Sequence, residues 1–407
     1  SRDLWEYELN LKKFEIDRLL NHLWEMIQTT WFDYFFIDEN CSYQLLTLLE
    51  VARPSMLLTS NHYLHAIPID TVKSILKEKN ILNKIHYRPS FEKKMLTKRA
   101  ALNKDQRVNY FSLIENHNLD KKYSKETLEA VISYLRYFRF KKKKLSHSQT
   151  KILRKLLIKR SKLKGVSQNI SNILNKSPPN LSHNSITYGF SLGDHQGLGI
   201  FNDFSFRVSM HDLFNNDQGY PPFSEIDFLN LNLRFFYEQK KLFFHGLTPL
   251  SILSLHPIRP LLFDFSWTFY TKINRIFEQI NNPFNYNIGT GAGINYRLLD
   301  ESLSAFSLLI VDLSAGKAHQ KGYRYSIGFK VGAIFNIDKK FKFGFPVEIL
   351  WDLNQINRTK PRLKLSSVLS IYNNPNYEFR FKANYQKNIN YDQNELFENS
   401  ATFYYFF

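Results

Sequence analysis

The chain contains one cysteine, and this thiol is its clearest candidate for a nucleophile. Cys41 lies in the stretch FFIDENCSYQLL, where Asp38, Glu39 and Asn40 precede an apolar run with helical spacing. Free N–H groups and the dipole at a helix N-terminus stabilise a thiolate, the nucleophilic form of cysteine. A helix that begins at Cys41, with Asn40 or Asp38 as its N-cap and Glu39 as a helix-dipole partner, would present a reactive thiol. The alternative is a small residue that packs a helix start, because free cysteines are often buried and inert.

A general base for such a thiol would be a histidine. His22 falls within a helical pattern, where a packing or surface role is the expectation, and His62 and His65 lie in the loop SNHYLHAIP. Further along, His211 and Asp212 precede the turn NNDQG, and this pattern indicates a hydrogen-bonded turn. The sequence has no glycine-rich phosphate loop, no HExxH motif and no Cys/His cluster, so it implies no metal and no nucleotide cofactor.

The elements that would position the thiol form a helical first half, up to about residue 180. Apolar residues recur at helical spacing in KKFEIDRLLNHLWEMIQ and in SHSQTKILRKLLIKRSKL. Asp70 is a candidate N-cap for IPIDTVKSILKEKNIL, and Ser124 is one for SKETLEAVISYLRYF. We therefore predict helices throughout this half after residue 12, with loops near residues 53–67 and 81–92.

The second half changes to the period of a β-strand. In GYRYSIGFKVGAIFNI, for example, Tyr323, Tyr325 and Phe329 fall on one face, and Arg324 and Lys330 fall on the other. Such segments run for about 10 residues or more, the length of a tilted membrane-spanning strand, whereas strands of soluble sandwiches are usually shorter. Over residues 185–407 the pattern predicts an antiparallel outer-membrane-type β-barrel of roughly twelve strands. A soluble sandwich with an aromatic core is the alternative.

The last stretch, ATFYYFF, places Phe403, Tyr405 and Phe407 on one face of a strand. This ending resembles the C-terminal signal of outer-membrane barrels. We therefore expect recognition by the barrel assembly machinery through Phe407.

A strongly basic segment lies between Lys121 and Gly165, where sixteen Lys or Arg residues accompany Glu126 and Glu129 as the acids. Its densest part is the run of Lys141, Lys142, Lys143 and Lys144. A domain tethered to a membrane barrel has lipid phosphates as its nearest anions, so contact with outer-membrane lipids is the functional expectation. A solvated helix face is the other interpretation, and nucleic acid is not expected as a partner.

The motifs RDLWEYELNL, HLWEM and FDYFFIDENCSYQLLTLLEVARP, followed by IPIDTVKSI and YRPS, resemble the Lnb-type lipoprotein N-acyltransferase family. LSHNS and HDLFNNDQGY resemble the C-terminal β domain that is fused to it in Gram-negative relatives. The resemblance implies a permuted papain-like domain with Cys41 as the nucleophile. It also implies an acyl transfer through a thioester, from a phospholipid donor to lipoproteins, in the periplasm at the outer membrane.

One departure from that family concerns the base, which the resemblance places on a histidine strand upstream of RDLWEY. None of the histidines near Cys41 matches this order, so we expect the family domain to be incomplete at its N-terminal side. The expected fold class is α+β, a helical remnant of a permuted papain-like domain followed by the barrel. We expect domains at 1–90, 91–180 and 185–407. A papain-like amidase or thioesterase of the cell envelope, and a non-enzymatic barrel or scaffold, remain as alternatives.

Overall fold

A computed structural model describes residues 2–35, 38–62, 65–165, 177–208, 211–277, 282–319, 321–338, 340–354, 361–387 and 395–407. The chain forms two compact units, and each consists of three segments that alternate along the sequence with those of the other. The first comprises residues 1–32, 46–58 and 74–178. The second comprises residues 33–45, 59–73 and 179–407.

The N-terminal part of the chain is mainly helical. Its elements are β1 (Leu4–Leu9), α1 (Lys13–Thr29), α2 (Cys41–Ala52), a 3₁₀ turn (Thr59–His62), α3 (Pro68–Lys77), β2 (Leu82–Arg88), α4 (Phe91–Ala100), α5 (Lys104–Asn116), α6 (Lys125–Lys141) and α7 (His147–Ser161). Within the described ranges, no helix combines the length and the apolar character that a membrane crossing needs.

Most of the predicted helices are confirmed, including α2 with its end immediately before Arg53 and Pro54. Ser124 caps α6 by accepting a hydrogen bond from the backbone N–H of Thr127. The prediction of a loop over residues 81–92 was wrong for β2, which pairs antiparallel with β1. That partner lies about eighty positions earlier in the chain, so local periodicity did not reveal the strand.

Asp70 is not an N-cap, because α3 begins two residues earlier, at Pro68. Proline is favoured at the first position of a helix, since its φ is already helical and its missing N–H is not needed there. Asp70 therefore lies in the first turn of α3.

The first unit contains both buried apolar side chains and buried carboxylates that are paired with basic residues. The carboxylate of Glu15 accepts two hydrogen bonds from the guanidinium of Arg53, at 2.7 and 2.8 Å. These bonds hold the pKa of Glu15 at about 2. Glu129, in the basic segment, accepts charged hydrogen bonds from Lys98 and Arg160 at 3.0 and 2.7 Å. One cluster of buried apolar side chains comprises Leu46, Leu49, Met56, Leu58, Ile75 and Ile81.

The second half of the chain is a closed antiparallel barrel of twelve strands, which confirms the predicted fold. The last strand pairs with the first and closes the sheet. The strands are β3 (Ile186–His195), β4 (Gly199–Val208), β5 (Ser224–Phe236), β6 (Lys241–Ser254), β7 (Ser266–Arg275), β8 (Phe284–Leu298), β9 (Leu303–Ala315), β10 (Tyr323–Asn336), β11 (Phe341–Asp352), β12 (Arg362–Asn374), β13 (Tyr377–Lys387) and β14 (Glu395–Phe406).

The two faces of the barrel have the predicted composition. Tyr323, Tyr325 and Phe329 are exposed on the outer face, whereas Arg324 and Ser326 are buried inside. The same alternation runs along β3, where every second side chain is exposed. An outer face of exposed aromatic and aliphatic side chains around a polar interior is the pattern of a lipid-facing barrel.

One end of the barrel is filled by its own chain. We call residues 211–223, between β4 and β5, the plug. Leu213, Phe214 and Phe223 of the plug are buried together with inward-facing apolar side chains of the strands. The plug lies at the end where β3 begins and β14 ends, because β4 runs back toward that end. The opposite half of the lumen has many polar and charged side chains, together with a buried aromatic cluster of Phe201, Phe236 and Phe277.

Candidate active site

The thiol of Cys41 is exposed, and it occupies the first position of α2. The side-chain oxygen of Asn40 accepts hydrogen bonds from the backbone N–H groups of Ser42 at 3.0 Å and Tyr43 at 3.3 Å. Asn40 therefore has the geometry of an N-cap. Asp38 instead accepts a hydrogen bond from the backbone N–H of its neighbour Glu39, whose side chain is exposed.

The first turn of α2 is attached to the loop that contains the two histidines. Asn40 donates a 2.7 Å hydrogen bond through its side-chain amide to the carbonyl of Ala66, and the hydroxyl of Ser42 lies 3.2 Å from the same oxygen. The residues on both sides of Cys41 thus bind one carbonyl, immediately after His65 in the chain. The ring centroids of His62 and His65 lie 6.5 Å apart, edge to face.

A partly buried carboxylate accompanies these histidines. Burial raises the pKa of Asp70, against the opposing charge of Lys73 and a hydrogen-bonding interaction with Ser185. The charges of His65 and His62 also act on Asp70. The sequence pattern predicted Asp70 only as a helix N-cap and did not reveal that its carboxylate lies near His62 and His65.

Lys73 connects this segment to the residues that lead into the barrel. Its ammonium group donates hydrogen bonds to the carbonyl of His183 at 2.7 Å and to the side-chain oxygen of Asn184 at 3.1 Å. These contacts lie within the second unit, which contains residues 33–45 and 59–73 as well as the barrel. The second unit therefore contains Cys41 together with the histidine loop and the plugged barrel.

A second group of titratable side chains lies at the plug. The rings of His183 and His211 are joined by a 3.1 Å contact between Nε2 and Nδ1, and Nε2 of His211 lies 3.2 Å from the carboxylate of Asp217. Burial and the charge of His211 hold the pKa of His183 well below its ordinary value, and burial also lowers the pKa of His211. Lys342 donates a 2.8 Å hydrogen bond to Asp217.

Asp212 anchors the plug to the barrel wall. Its carboxylate accepts hydrogen bonds from Arg207 at 2.9 Å and from Arg380 at 2.7 Å. Burial acts to raise the pKa of Asp212, but the charges of Arg380 and Arg207 outweigh this effect and hold it well below the ordinary value. The prediction that His211 and Asp212 belong to a hydrogen-bonded turn is confirmed, because the N–H of Asn215 bonds to the carbonyl of Asp212. Local sequence patterns did not reveal their partners on distant strands.

The other residues singled out from the sequence belong to the first unit. Lys141, Lys142, Lys143 and Lys144 are exposed at the end of α6, in the first unit. His22, in α1, lies 3.8 Å from Glu25.

Three family models match consecutive parts of the chain. The Lnb N-terminal periplasmic domain matches residues 1–78, and a domain of unknown function, DUF7842, matches residues 85–171. A further domain of unknown function, DUF7840, matches residues 176–406, which is more than half of the chain. The chain belongs to the DUF7840 family. Its Lnb N-terminal periplasmic domain contains Cys41, Asp70 and the histidine loop, and the resemblance to Lnb-type proteins is confirmed.

No curated protein matches this DUF7840 chain. Among solved structures, the KdgM porin in complex with disordered oligogalacturonate is similar at 10% identity and a TM-score of 0.33, over 54% of this chain and 99% of that one. The NanC porin is similar at 9% identity and a TM-score of 0.36, over 54% and 99%. LpxR from Salmonella typhimurium is similar at 10% identity and a TM-score of 0.33, over 54% and 100%. Similarities of this size carry no argument about function.

The location of the DUF7840 chain follows from its two parts. Its twelve strands close into a barrel whose outer face is apolar and aromatic, as a lipid-facing surface requires. Its N-terminal part is a periplasmic domain. The protein is therefore an outer-membrane protein of the cell envelope with its N-terminal domain in the periplasm.

Proposed function

We propose that this protein is a cysteine acyltransferase of the outer membrane that N-acylates lipoproteins through a thioester on Cys41. The observation that carries the proposal is the exposed thiol at the first position of a capped helix within an Lnb N-terminal periplasmic domain. A thiol in this position lies at the start of the first helical turn and is accessible to a substrate.

The reaction has two steps. The thiolate attacks the carbonyl carbon of a phospholipid ester, the ester C–O bond breaks, and the lysophospholipid leaves after taking a proton from a general acid. The α-amino group of the lipoprotein then attacks the thioester, the C–S bond breaks, and a base accepts the proton of the amine. Water in place of the amine would give a hydrolase.

His65 is the candidate base that the geometry supports. It directly precedes Ala66, whose carbonyl binds the residues on both sides of Cys41, and it lies within electrostatic range of Asp70. The family resemblance implies instead a histidine on a strand that precedes the cysteine helix. The two assignments therefore differ in what they predict for a His65→Ala variant.

The test uses the full chain in phospholipid nanodiscs with a synthetic lipopeptide that has a free N-terminal diacylglyceryl cysteine. Mass spectrometry of the lipopeptide should show one added acyl chain with the wild type and none with Cys41→Ser. Val108→Ala, an exposed position on α5, is the control and should retain activity. Acyl transfer by Cys41→Ser would overturn the proposal, and release of free fatty acid without lipopeptide acylation would assign a hydrolase instead.

The same assay separates the two candidate bases. If His65 is the base, His65→Ala should slow acyl transfer by about 10²- to 10⁴-fold while the thiol still reacts with an alkylating reagent. Undiminished transfer would leave Cys41 as the nucleophile and assign the base to another histidine.

The second candidate function is that of a non-enzymatic barrel. The plug indicates whether such a barrel would be open or closed. Leu213 and Phe214 fill one end of the lumen, and the plug is held by buried charged hydrogen bonds. This arrangement favours a closed scaffold over an open pore. Wild-type barrels in a planar bilayer should therefore have little conductance.

A further inference from the structure

The half of the lumen opposite the plug contains a polar cavity of about 500 Å³. We call it the chamber. Its wall includes His195 at the end of β3, Arg275 at the end of β7 and Gln386 near the end of β13. These strand ends lie opposite the end that the plug fills. A volume of this size is within the range of small-molecule binding sites, about 300–1,000 Å³.

Three arginines of the chamber, Arg234, Arg324 and Arg362, are paired with carboxylates, and Arg275 donates hydrogen bonds to the backbone carbonyls of Phe244 and Asn282. Arg234 donates hydrogen bonds to Asp203 and to Glu398, at 2.7 and 2.6 Å. Arg362 donates a 3.1 Å hydrogen bond to Asp352, which also pairs with Arg324 at 3.6 Å. These groups form the rigid charged wall of the chamber and are not available to a ligand.

The lysines of the chamber differ from these arginines because they cluster together in the lumen. Lys272, Lys330 and Lys364 come from β7, β10 and β12, and all three line the cavity. In the register of the sheet, Glu348 of β11 lies opposite both Lys330 and Lys364. The charges of Lys272, Lys330 and Glu348 all act on Lys364. Lys364 thus lies within electrostatic range of two further ammonium groups and of two carboxylates, Glu348 and Glu398, and Glu398 is already paired with Arg234.

Two of these lysines reach solvent inside the barrel. The side chains of Lys272 and Lys364 are exposed although they point into the lumen. Like charges that converge in a confined space repel each other, so this arrangement disfavours the folded barrel unless an anion compensates it. The lysine cluster, defined as Lys272, Lys330 and Lys364, therefore has the electrostatics of an anion site.

Neutral hydrogen-bonding groups complete the wall. The side chains of Tyr270, Asn274, Asn287, Asn384 and Gln386 also line the chamber. Amide groups that both donate and accept suit hydroxyl groups of a ligand. We propose that the chamber binds a small, hydroxyl-rich anion, a sugar acid or a sugar phosphate, with its charged group at the lysine cluster.

The binding test uses the full chain in nanodiscs and calorimetric titration with glucuronate, glucose 6-phosphate, glucose and inorganic phosphate. At least one of the two sugar anions should bind saturably and at least tenfold more tightly than glucose, with an affinity that falls as salt is added. Which of them binds more tightly tells whether a carboxylate or a phosphate is preferred. No saturable binding of either sugar anion, equal binding of glucose, or equal binding of inorganic phosphate would overturn the proposal.

Variants with opposite expected signs separate electrostatics from misfolding. The double variant Lys330→Gln/Lys364→Gln should weaken binding of the sugar anions at least tenfold, and Glu348→Gln should strengthen it because the carboxylate that opposes the anion is removed. The control Lys317→Gln/Lys321→Gln removes two exposed lysines of the loop between β9 and β10 and should leave the affinity unchanged. An unchanged affinity in the lysine-cluster variant, or weaker binding by Glu348→Gln, would contradict the assignment.

Discussion

The carboxylate of Asp212 accepts a 2.7 Å hydrogen bond from the guanidinium of Arg380, which lies 168 positions later in the chain. Arg207 binds the same carboxylate oxygen at 2.9 Å. One carboxylate of the plug therefore binds two arginines of the barrel wall, and Arg380 also pairs with Glu378. Removal of one partner from such a buried network leaves the other charges uncompensated.

Asp212→Asn should consequently destabilise the barrel by about 3–5 kcal/mol and loosen the plug. The midpoint of urea unfolding in detergent should fall, and single-channel conductance in a planar bilayer should rise. The control is Lys387→Gln, which removes the exposed Lys387–Glu395 pair and should change neither quantity. Wild-type conductance and stability in Asp212→Asn would mean that the plug is held by other contacts.

The cap of α2 should control the reactivity of Cys41. Asn40→Ala removes the N-cap and the hydrogen bond to Ala66, and loss of a cap costs about 1 kcal/mol. The rate of thiol alkylation should change in this variant, since the first turn of α2 loses its anchor. Asn103→Ala removes the equivalent cap of α5 and should leave the alkylation rate unaltered. Equal alkylation rates in Asn40→Ala and Asn103→Ala would mean that the cap of α2 does not control the reactivity of Cys41.

The histidines at the plug should make stability depend on pH. Burial holds the pKa values of His183 and His211 below the ordinary value of 6.5. The unfolded chain therefore binds more protons than the folded one at pH values between those lowered values and 6.5. Their contribution to stability is complete above pH 6.5 and is lost as the pH falls through the folded pKa values.

Unfolding measured from pH 8 to pH 5 should accordingly show a decline below pH 6.5 that is smaller in His183→Gln. His86, exposed and 3.4 Å from Glu8, is the matched control, and His86→Gln should keep the wild-type dependence. A decline of equal size in His183→Gln would assign the pH dependence to other groups.

The basic run at the end of α6 should contact lipid. Lys141, Lys142, Lys143 and Lys144 are exposed, and each basic residue near an anionic surface contributes about 1 kcal/mol of attraction. In nanodiscs these lysines should be protected from an amine-reactive label when the lipid is anionic and reactive when it is zwitterionic. Lys104, exposed at the start of α5, is the control. Equal labelling in both lipids would favour a solvated helix face.

The parts of the fold that the sequence revealed are those with local causes. Strand alternation in the second half and apolar spacing in the first are properties of neighbouring residues, and both predicted their elements correctly. The cap of α2 is also local, because Asn40 binds the N–H groups of the next turn.

The parts that stayed hidden depend on distant partners. β2 is a strand because it pairs with β1, and the plug is held by Arg380 and Glu378, which lie far along the chain from Asp212 and Asn215. Likewise, the loop that contains His62 and His65 is attached to the first turn of α2 because Asn40 and Ser42 bind Ala66, 26 and 24 positions later. No pattern within a short window contains such relationships.

The pairing of β14 with β3 has a consequence for biosynthesis. Thr402 lies beside Ser191, 211 positions earlier, so the seam between these strands forms only after translation has passed residue 402. Until then, β3 has an unpaired edge, which is prone to pair with another chain. A partly synthesised chain must therefore be kept unfolded during export, and a premature stop within β14 should send the molecule to proteolysis.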